Sequence, residues 1–208
     1  MGLIVIHGII TMVDCVIPAA GLSSRMGAWK PMLPYCDSTL LDVAIEHALV
    51  FCSRVIVVAG YRADELVQRY QHQPHILVVV NPDYQQGMLS SIQKGIAAVT
   101  SSRFFITHAD MPCIDPQVFT LLSQMRHGRV VFPGNKQQTG HPVLIDAALI
   151  PCILALPITA KMKQVLQTGE EQYLQLDATS GIYHDIDTPE KYQQLLRTCV
   201  ISLSDNTG

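Results

Sequence analysis

Charge is scarce in this chain: Asp, Glu, Lys and Arg make up only 15% of its 208 residues and nearly cancel, leaving a formal net charge of -3. No whole-protein field therefore draws it to nucleic acid or to an anionic membrane, and any anion it binds must be held by locally clustered cations. A C-x-x-C pair is also lacking. The six cysteines, Cys15, Cys36, Cys52, Cys113, Cys152 and Cys199, are scattered, which argues against a zinc site or a disulfide framework and fits small buried hydrophobes in a reducing cytoplasm. The apolar stretch over residues 2–20 has no basic flank and is interrupted by His7, Asp14 and Pro18, so it reads neither as a signal peptide nor as a membrane span.

Apolar residues, by contrast, reach 49%. That balance suits a parallel sheet covered on both faces by helices, whose strands are apolar throughout, and a chain of this length can bury one sizeable core. Met12 directly precedes the first convincing strand. Residues 1–12 are therefore expected to be an N-terminal extension, native or not, with one domain over 13–200 and a tail over 201–208.

Short, largely β-branched runs at 13–17, 54–59, 76–80 and 103–107 are expected strands. Helical spacing follows each of the first three: 40–49 behind a Thr39 and Asp42 capping pair, 63–70, and 88–99. Asp115 and Pro116 open a further helix as N-cap and first turn. Beyond Arg129 the pattern is less regular, with strands at 130–132 and 143–145, helices near 146–154 and 159–167, and a last helix after Thr188. The alternation predicts an α/β fold with a doubly wound, mostly parallel sheet and helices on both faces, in which ligands bind at the carboxyl ends of strands near a switch in strand order.

The first loop to follow a strand reads P-A-A-G-L-S-S-R-M-G-A-W-K. Ala19, Ala20 and Gly21 let backbone approach a ligand and turn N–H groups toward phosphate oxygens, while Arg25 and Lys30 add positive charge, which suggests a triphosphate. It is neither a P-loop nor a dinucleotide fingerprint, and a plain strand-to-helix turn with solvated cations is the competing explanation. A second loop, T-H-A-D-M-P, places Asp110 at the tip of an apolar strand, where a carboxylate either holds Mg²⁺ or forms a turn. In D-I-D-T-P-E, Asp185 and Asp187 share one face of an extended segment, so either could reach the same metal; Asp187 is preferred. Asn81, Gly87, Ser90 and Ser91 gather at a helix start, where contact with base or ribose and simple helix initiation are equally open. His141, between Gly140 and Pro142, is a candidate for meeting an acceptor substrate or for a structural role, and His108 carries the same two readings.

Taken in order, A-A-G-x-S-x-R-M-G-x-x-K at 19–30, N-P-x-x-x-x-G-M-x-S-S at 81–91, a G-D-x-P-type turn, G-H-P at 140–142 and D-I-D-T-P-E resemble the nucleotidyltransferases of molybdenum-cofactor maturation, above all the cytidylyltransferases, over roughly residues 13–196. The resemblance implies a Rossmann-like fold that joins the nucleoside monophosphate of a triphosphate to the terminal phosphate of molybdopterin or its molybdenum-loaded form, with Mg²⁺ and release of pyrophosphate. Carried onto this sequence it gives Arg25, Lys30 and Asp110 catalytic roles and Asp110 and Asp187 the metal. The loop, with Asn81, Gly87 and Ser91, would bind the nucleotide, and Gly140, His141 and Pro142 the acceptor. P-A-A-G resembles cytidylyltransferases, where guanylyltransferases more often show L-A-G-G, so Ala20 points to CTP. Ala109 departs from the family's glycine before the metal aspartate. Two further readings stand beside this one: a transferase for another phosphorylated small molecule, and a non-catalytic nucleotide-binding partner of a molybdenum hydroxylase, the enzyme class that would receive the product.

Overall fold

A computed structural model describes residues 5–6, 9–10, 12–23, 26–167 and 169–204. Its centre is a seven-stranded sheet whose strands we number β1 (Asp14–Pro18), β2 (Arg54–Ala59), β3 (Ile76–Val80), β4 (Arg103–Ile106), β5 (Val130–Pro133), β6 (Val143–Asp146) and β7 (Glu171–Leu174). The spatial order is β7-β5-β6-β4-β1-β2-β3. Every neighbouring pair is parallel except those made by β6, which runs antiparallel to both β4 and β5. The expected mostly parallel, doubly wound α/β sheet is thus the observed one. Its central strands β1 and β2 are buried almost without interruption, as a sheet covered on both faces requires.

The helices are α1 (Leu40–Leu49), α2 (Ala63–Tyr70), α3 (Met88–Ile96), α4 (Gln117–Ser123), α5 (Ile150–Leu154), α6 (Met162–Leu166) and α7 (Pro189–Ser204). Thr39 caps α1 as expected, its side chain accepting from the Asp42 N–H. Two separate apolar clusters form on the two faces of the sheet. One gathers Cys15, Ile17, Val55 and Val57 with Leu41, Leu66 and Phe119; the other gathers Val16, Ile56 and Val58 with Ile92, Phe104 and Ile153. The alternation along β1 and β2 is the period-two direction of strand side chains.

Three details differ from expectation. The edge strand β7 was not foreseen, because E-Q-Y-L is polar and half-buried and pairs only with β5. Helix α7 continues to Ser204, into the segment expected to be a tail. Cysteine placement is also mixed: Cys15 and Cys52 are buried thiols and Cys113 is half-buried, but Cys152 is exposed and Cys36 is disulfide-bonded. Two short antiparallel pairs lie outside the main sheet, Val5–Ile6 with Ile9–Ile10 and Pro34–Tyr35 with Ser38–Thr39.

Candidate active site

Strand β1 lies between β2 and β4, so the chain leaves it toward one side and returns on the other. The loops after β1 and β4 emerge next to each other at the carboxyl edge, the place where this sheet type opens a crevice. Thr107 extends the contact, its N–H donating to Val16 O. This topology brings Lys30 and Asp110 together across 80 residues of sequence.

The Lys30 ammonium donates to Asp110 Oδ2 at 2.9 Å and to Asp187 Oδ1 at 2.7 Å. Asp187 arrives because the segment before α7 crosses the same edge. The Ile186 N–H donates to Asp110 O, the His141 N–H to Ile182 O and the Asp115 N–H to Ser180 O. Gly140 is needed under this crossing, since a Cβ there would stand 2.6 Å from Ile182 O. On the lysine side, Ser23 sits in the left-handed region at φ 53, and its hydroxyl accepts from the Lys30 N–H. A short 3₁₀ turn over Lys30–Met32 with Pro31 in its first positions then fixes where the side chain begins.

Burial alone would depress the Lys30 ammonium, but the hydrogen bonds to Asp110 and Asp187 outweigh it, and its pKa is raised. Asp187 is held down to about 2, first by its hydrogen bond with Asp185 and then by Lys30. Asp185 itself takes Lys191 at 2.7 Å. Two anionic, hard oxygens therefore converge on one cation position, a donor set that suits Mg²⁺ or Mn²⁺ with phosphate and water completing the shell. Among the described residues no cluster of three or more His, Cys, Asp or Glu forms a self-sufficient metal cage.

Beside this ion cluster the two candidate histidines meet. His108 Nε2 and His141 Nε2 are 3.1 Å apart, with the rings edge to face. Burial pushes His108 down to about 4, with the Lys30 charge adding to it, and His141 down to about 3, with His108 adding to it. Both are neutral near pH 7 and share one proton-mediated contact. They line a cavity of about 240 Å³ whose other walls include Ile92, Ile106, Phe132 and Val143. The His141 Nδ1 is buried without a hydrogen-bond partner.

Other sequence candidates fall differently. Arg25 lies outside the described residues. The Ala19 N–H is committed to Val58 O and the Ala20 carbonyl to the Tyr61 N–H, so Ala19 cannot offer its N–H to a phosphate; Gly21 is exposed. Asn81 is buried, donating to Ser90 Oγ and Ser91 Oγ at 3.0 Å each and accepting from the Asp83 N–H. These three polar side chains thus brace the loop after β3 against the start of α3, with Gly87 at φ 110 making the corner. Pro142 is buried directly before β6. Ala109 is buried and has no positive φ, so its methyl imposes no backbone strain on the turn before Asp110. One group escaped the sequence reading: Trp29, nearly buried beside Lys30, carries the Arg62 guanidinium 4.7 Å above its ring and Tyr61 at its edge. Its only sequence signal is a lone Trp next to the loop lysine.

Residues 15–176 match the MobA-like NTP transferase domain. The chain belongs to that family. Membership makes it a nucleotidyltransferase by kind, as the ordered motifs implied. The molybdenum cofactor cytidylyltransferase of Escherichia coli is 40% identical over 180 residues, covering 86% of this chain and 93% of that protein. The nicotine blue oxidoreductase of Paenarthrobacter nicotinovorans is 31% identical over 196 residues, 87% of this chain and 95% of its own. A Mycobacterium tuberculosis protein solved in complex with manganese shares the fold at TM-score 0.74 and 21% identity, covering 90% of this chain and 98% of that one. Among the described residues, no helix of this NTP transferase is long and apolar enough to cross a membrane.

Proposed function

We propose that this NTP transferase moves CMP from CTP onto the terminal phosphate of molybdopterin or its molybdenum-loaded form, releasing pyrophosphate, and that it does so in the cytoplasm with Mg²⁺. The convergence of Asp110 and Asp187 on the Lys30 ammonium is the observation that carries this reading. The 40% identity to a molybdenum cofactor cytidylyltransferase supports the choice of substrates, and Ala20 supports cytosine. A molybdenum hydroxylase is the expected recipient of the product.

The acceptor phosphate is already anionic at neutral pH, so the reaction asks for no protein nucleophile and no general base. What the protein must supply is alignment of that phosphate with the α-phosphorus of CTP and relief of the charge that builds on the departing pyrophosphate. Lys30 and Arg25 would hold the triphosphate. Asp110 and Asp187 would hold Mg²⁺, which when bound neutralises phosphate oxygens and orients them for in-line displacement. Gly140, His141 and Pro142 would face the acceptor, with the neutral His108–His141 pair and the adjoining cavity giving room for an uncharged part of it. Ala20, Gly21 and the loop braced by Asn81, Gly87 and Ser91 would shape the nucleotide side.

The test is a nucleotide-by-acceptor screen for Mg²⁺-dependent pyrophosphate release, run beside Lys30→Ala. Release is expected only with CTP and molybdopterin-type acceptor together, and the variant is expected to lose it. Turnover with GTP alone would overturn the base assignment, and turnover with a different phosphorylated acceptor would overturn the acceptor.

A further inference from the structure

Lys30 occupies the position at which its two carboxylate partners converge. Its ammonium is 2.9 Å from Asp110 Oδ2 and 2.7 Å from Asp187 Oδ1, about as close as a charged hydrogen bond allows. A divalent cation bound to the same two oxygens at about 2.0–2.1 Å would stand within bonding distance of the ammonium, so the two cations cannot share the position. The charge sum also favours exchange: two carboxylates and one ammonium leave the cluster a net negative charge that one lysine does not cancel. The backbone of Lys30 is anchored by Ser23 and the following 3₁₀ turn, while its head group is a compact point charge on a flexible four-carbon stem. The base of the side chain is fixed by its own backbone contacts, and its end is held by the two aspartates.

We propose that Lys30 is an exchangeable internal counter-ion: it closes the cation position between Asp110 and Asp187 until a nucleoside triphosphate on the 19–30 loop draws its ammonium away. This rests on the assignment of the metal to those two aspartates. Its consequence is a positive coupling between cation and nucleotide. Moving Lys30 off the carboxylates is required for either ligand, and once one ligand has moved it the other binds without that cost; by linkage, each strengthens the other by the same factor.

The experiment is calorimetric titration of the full chain with Mn²⁺ alone, and with a non-transferable α,β-methylene analogue of CTP in the presence and absence of saturating Mn²⁺, for wild type, Lys30→Met and Asp110→Asn. Lys30→Met is expected to bind Mn²⁺ alone about tenfold more tightly than wild type, and the factor by which Mn²⁺ strengthens analogue binding is expected to shrink by a similar amount. Lys30→Gln, which keeps a hydrogen-bond donor without the charge, should move both quantities the same way and serves if the methionine variant folds poorly. An increase in Mn²⁺ affinity with an unchanged coupling factor would mean that Lys30 merely repels the metal from a fixed position, and the exchange is overturned; so it is if neither quantity moves. In both cases loss of Mn²⁺ binding in Asp110→Asn leaves the metal assignment standing. Mn²⁺ binding that survives Asp110→Asn removes the assignment and the exchange together.

Discussion

At the amino end of β1, Asp14 is almost fully buried and receives the Arg54 Nε and Nη2 at 2.8 and 3.0 Å, the Thr100 N–H at 2.7 Å and the Ser101 N–H at 3.1 Å. At the carboxyl end of the same sheet, Lys30 serves two aspartates, and the side chains of Asp110 and Asp187 keep 22% and 38% of their surface in solvent. Both are ion clusters at the ends of the central sheet, yet one is saturated and the other is not. The Asp14 carboxylate has a protein donor for nearly every lone pair, so nothing from outside can improve on its shell; it ties β1, β2 and the turn before β4 into one unit. The Lys30 cluster has two carboxylates for one ammonium and keeps its aspartates partly in solvent, so a better cation or a better anion can replace part of it. Saturation makes the first cluster a brace, and incomplete pairing at a switch point makes the second the candidate site.

The sharpest way to break that contrast is to remove one carboxylate from each end. Asp110→Asn is expected to lower pyrophosphate release by about 10²–10³-fold, the scale of removing a group that stabilises developing charge, with thermal unfolding close to wild type. Asp14→Ala should do the reverse. It leaves the Arg54 guanidinium without its carboxylate, with only Ala98 O and Thr100 Oγ1 to accept from it, strips the Thr100 and Ser101 N–H groups of their acceptor, and is expected to cost about 3 kcal/mol of stability in urea unfolding, while the folded fraction keeps its transfer rate. If Asp14→Ala depressed turnover with stability intact, the division between brace and site would be wrong.

How much of this contrast was legible in the sequence depends on whether its parts are local. The meeting of Lys30 with Asp110 had a local signal on each side: small residues and cations follow directly on one apolar strand, and Asp110 tips another. Helix α1 announced itself through Thr39 and Asp42. Asp14 was not legible as a brace, because its partners Arg54 and Thr100 are 40 and 86 residues away and only the parallel pairing of β1 with β2 and β4 assembles them. The His108–His141 contact spans 33 residues and depends on β6 running antiparallel to β4, a reversal that short apolar runs do not encode. Asn81, Ser90 and Ser91 displayed polar groups at a helix start, and those groups prove to satisfy one another.

Acid should separate the two ends next. Burial by itself would raise the Asp14 carboxyl, but the hydrogen bond from Arg54 and those from Thr100 and Ser101 outweigh it and hold its pKa below the ordinary 3.8. A carboxyl whose folded pKa is depressed contributes stability that is complete above the unfolded value and is lost as pH falls through the folded one. The stability gap between wild type and Asp14→Asn is therefore expected to be constant above about pH 5 and to close below about pH 4, with little dependence on salt because the pair is shielded. Asp187, which titrates at about 2 in a more open setting, should show a gap that 1 M salt largely removes. Equal salt sensitivity at both ends would contradict the difference in enclosure.

The smallest expected effect concerns the nucleotide rather than the ions. The Ala20 methyl is buried, and a Cβ added to Gly60 would stand 2.7 Å from it, so Ala20 already fills the space between the first loop and the end of β2. Ala20→Gly takes away one methyl at a place where the backbone is held by the Tyr61 N–H, which leaves the loop path unchanged and, on the proposed reading, loosens the packing under the nucleotide side. A missing methyl in a binding wall changes discrimination by about tenfold. The ratio of kcat/KM for CTP over GTP is accordingly expected to fall by that order in Ala20→Gly, with the Lys30, Asp110 and Asp187 cluster and its Mn²⁺ affinity untouched. A ratio that stayed constant while KM for both nucleotides rose would place base recognition away from Ala20, and would leave the loop with the phosphates alone.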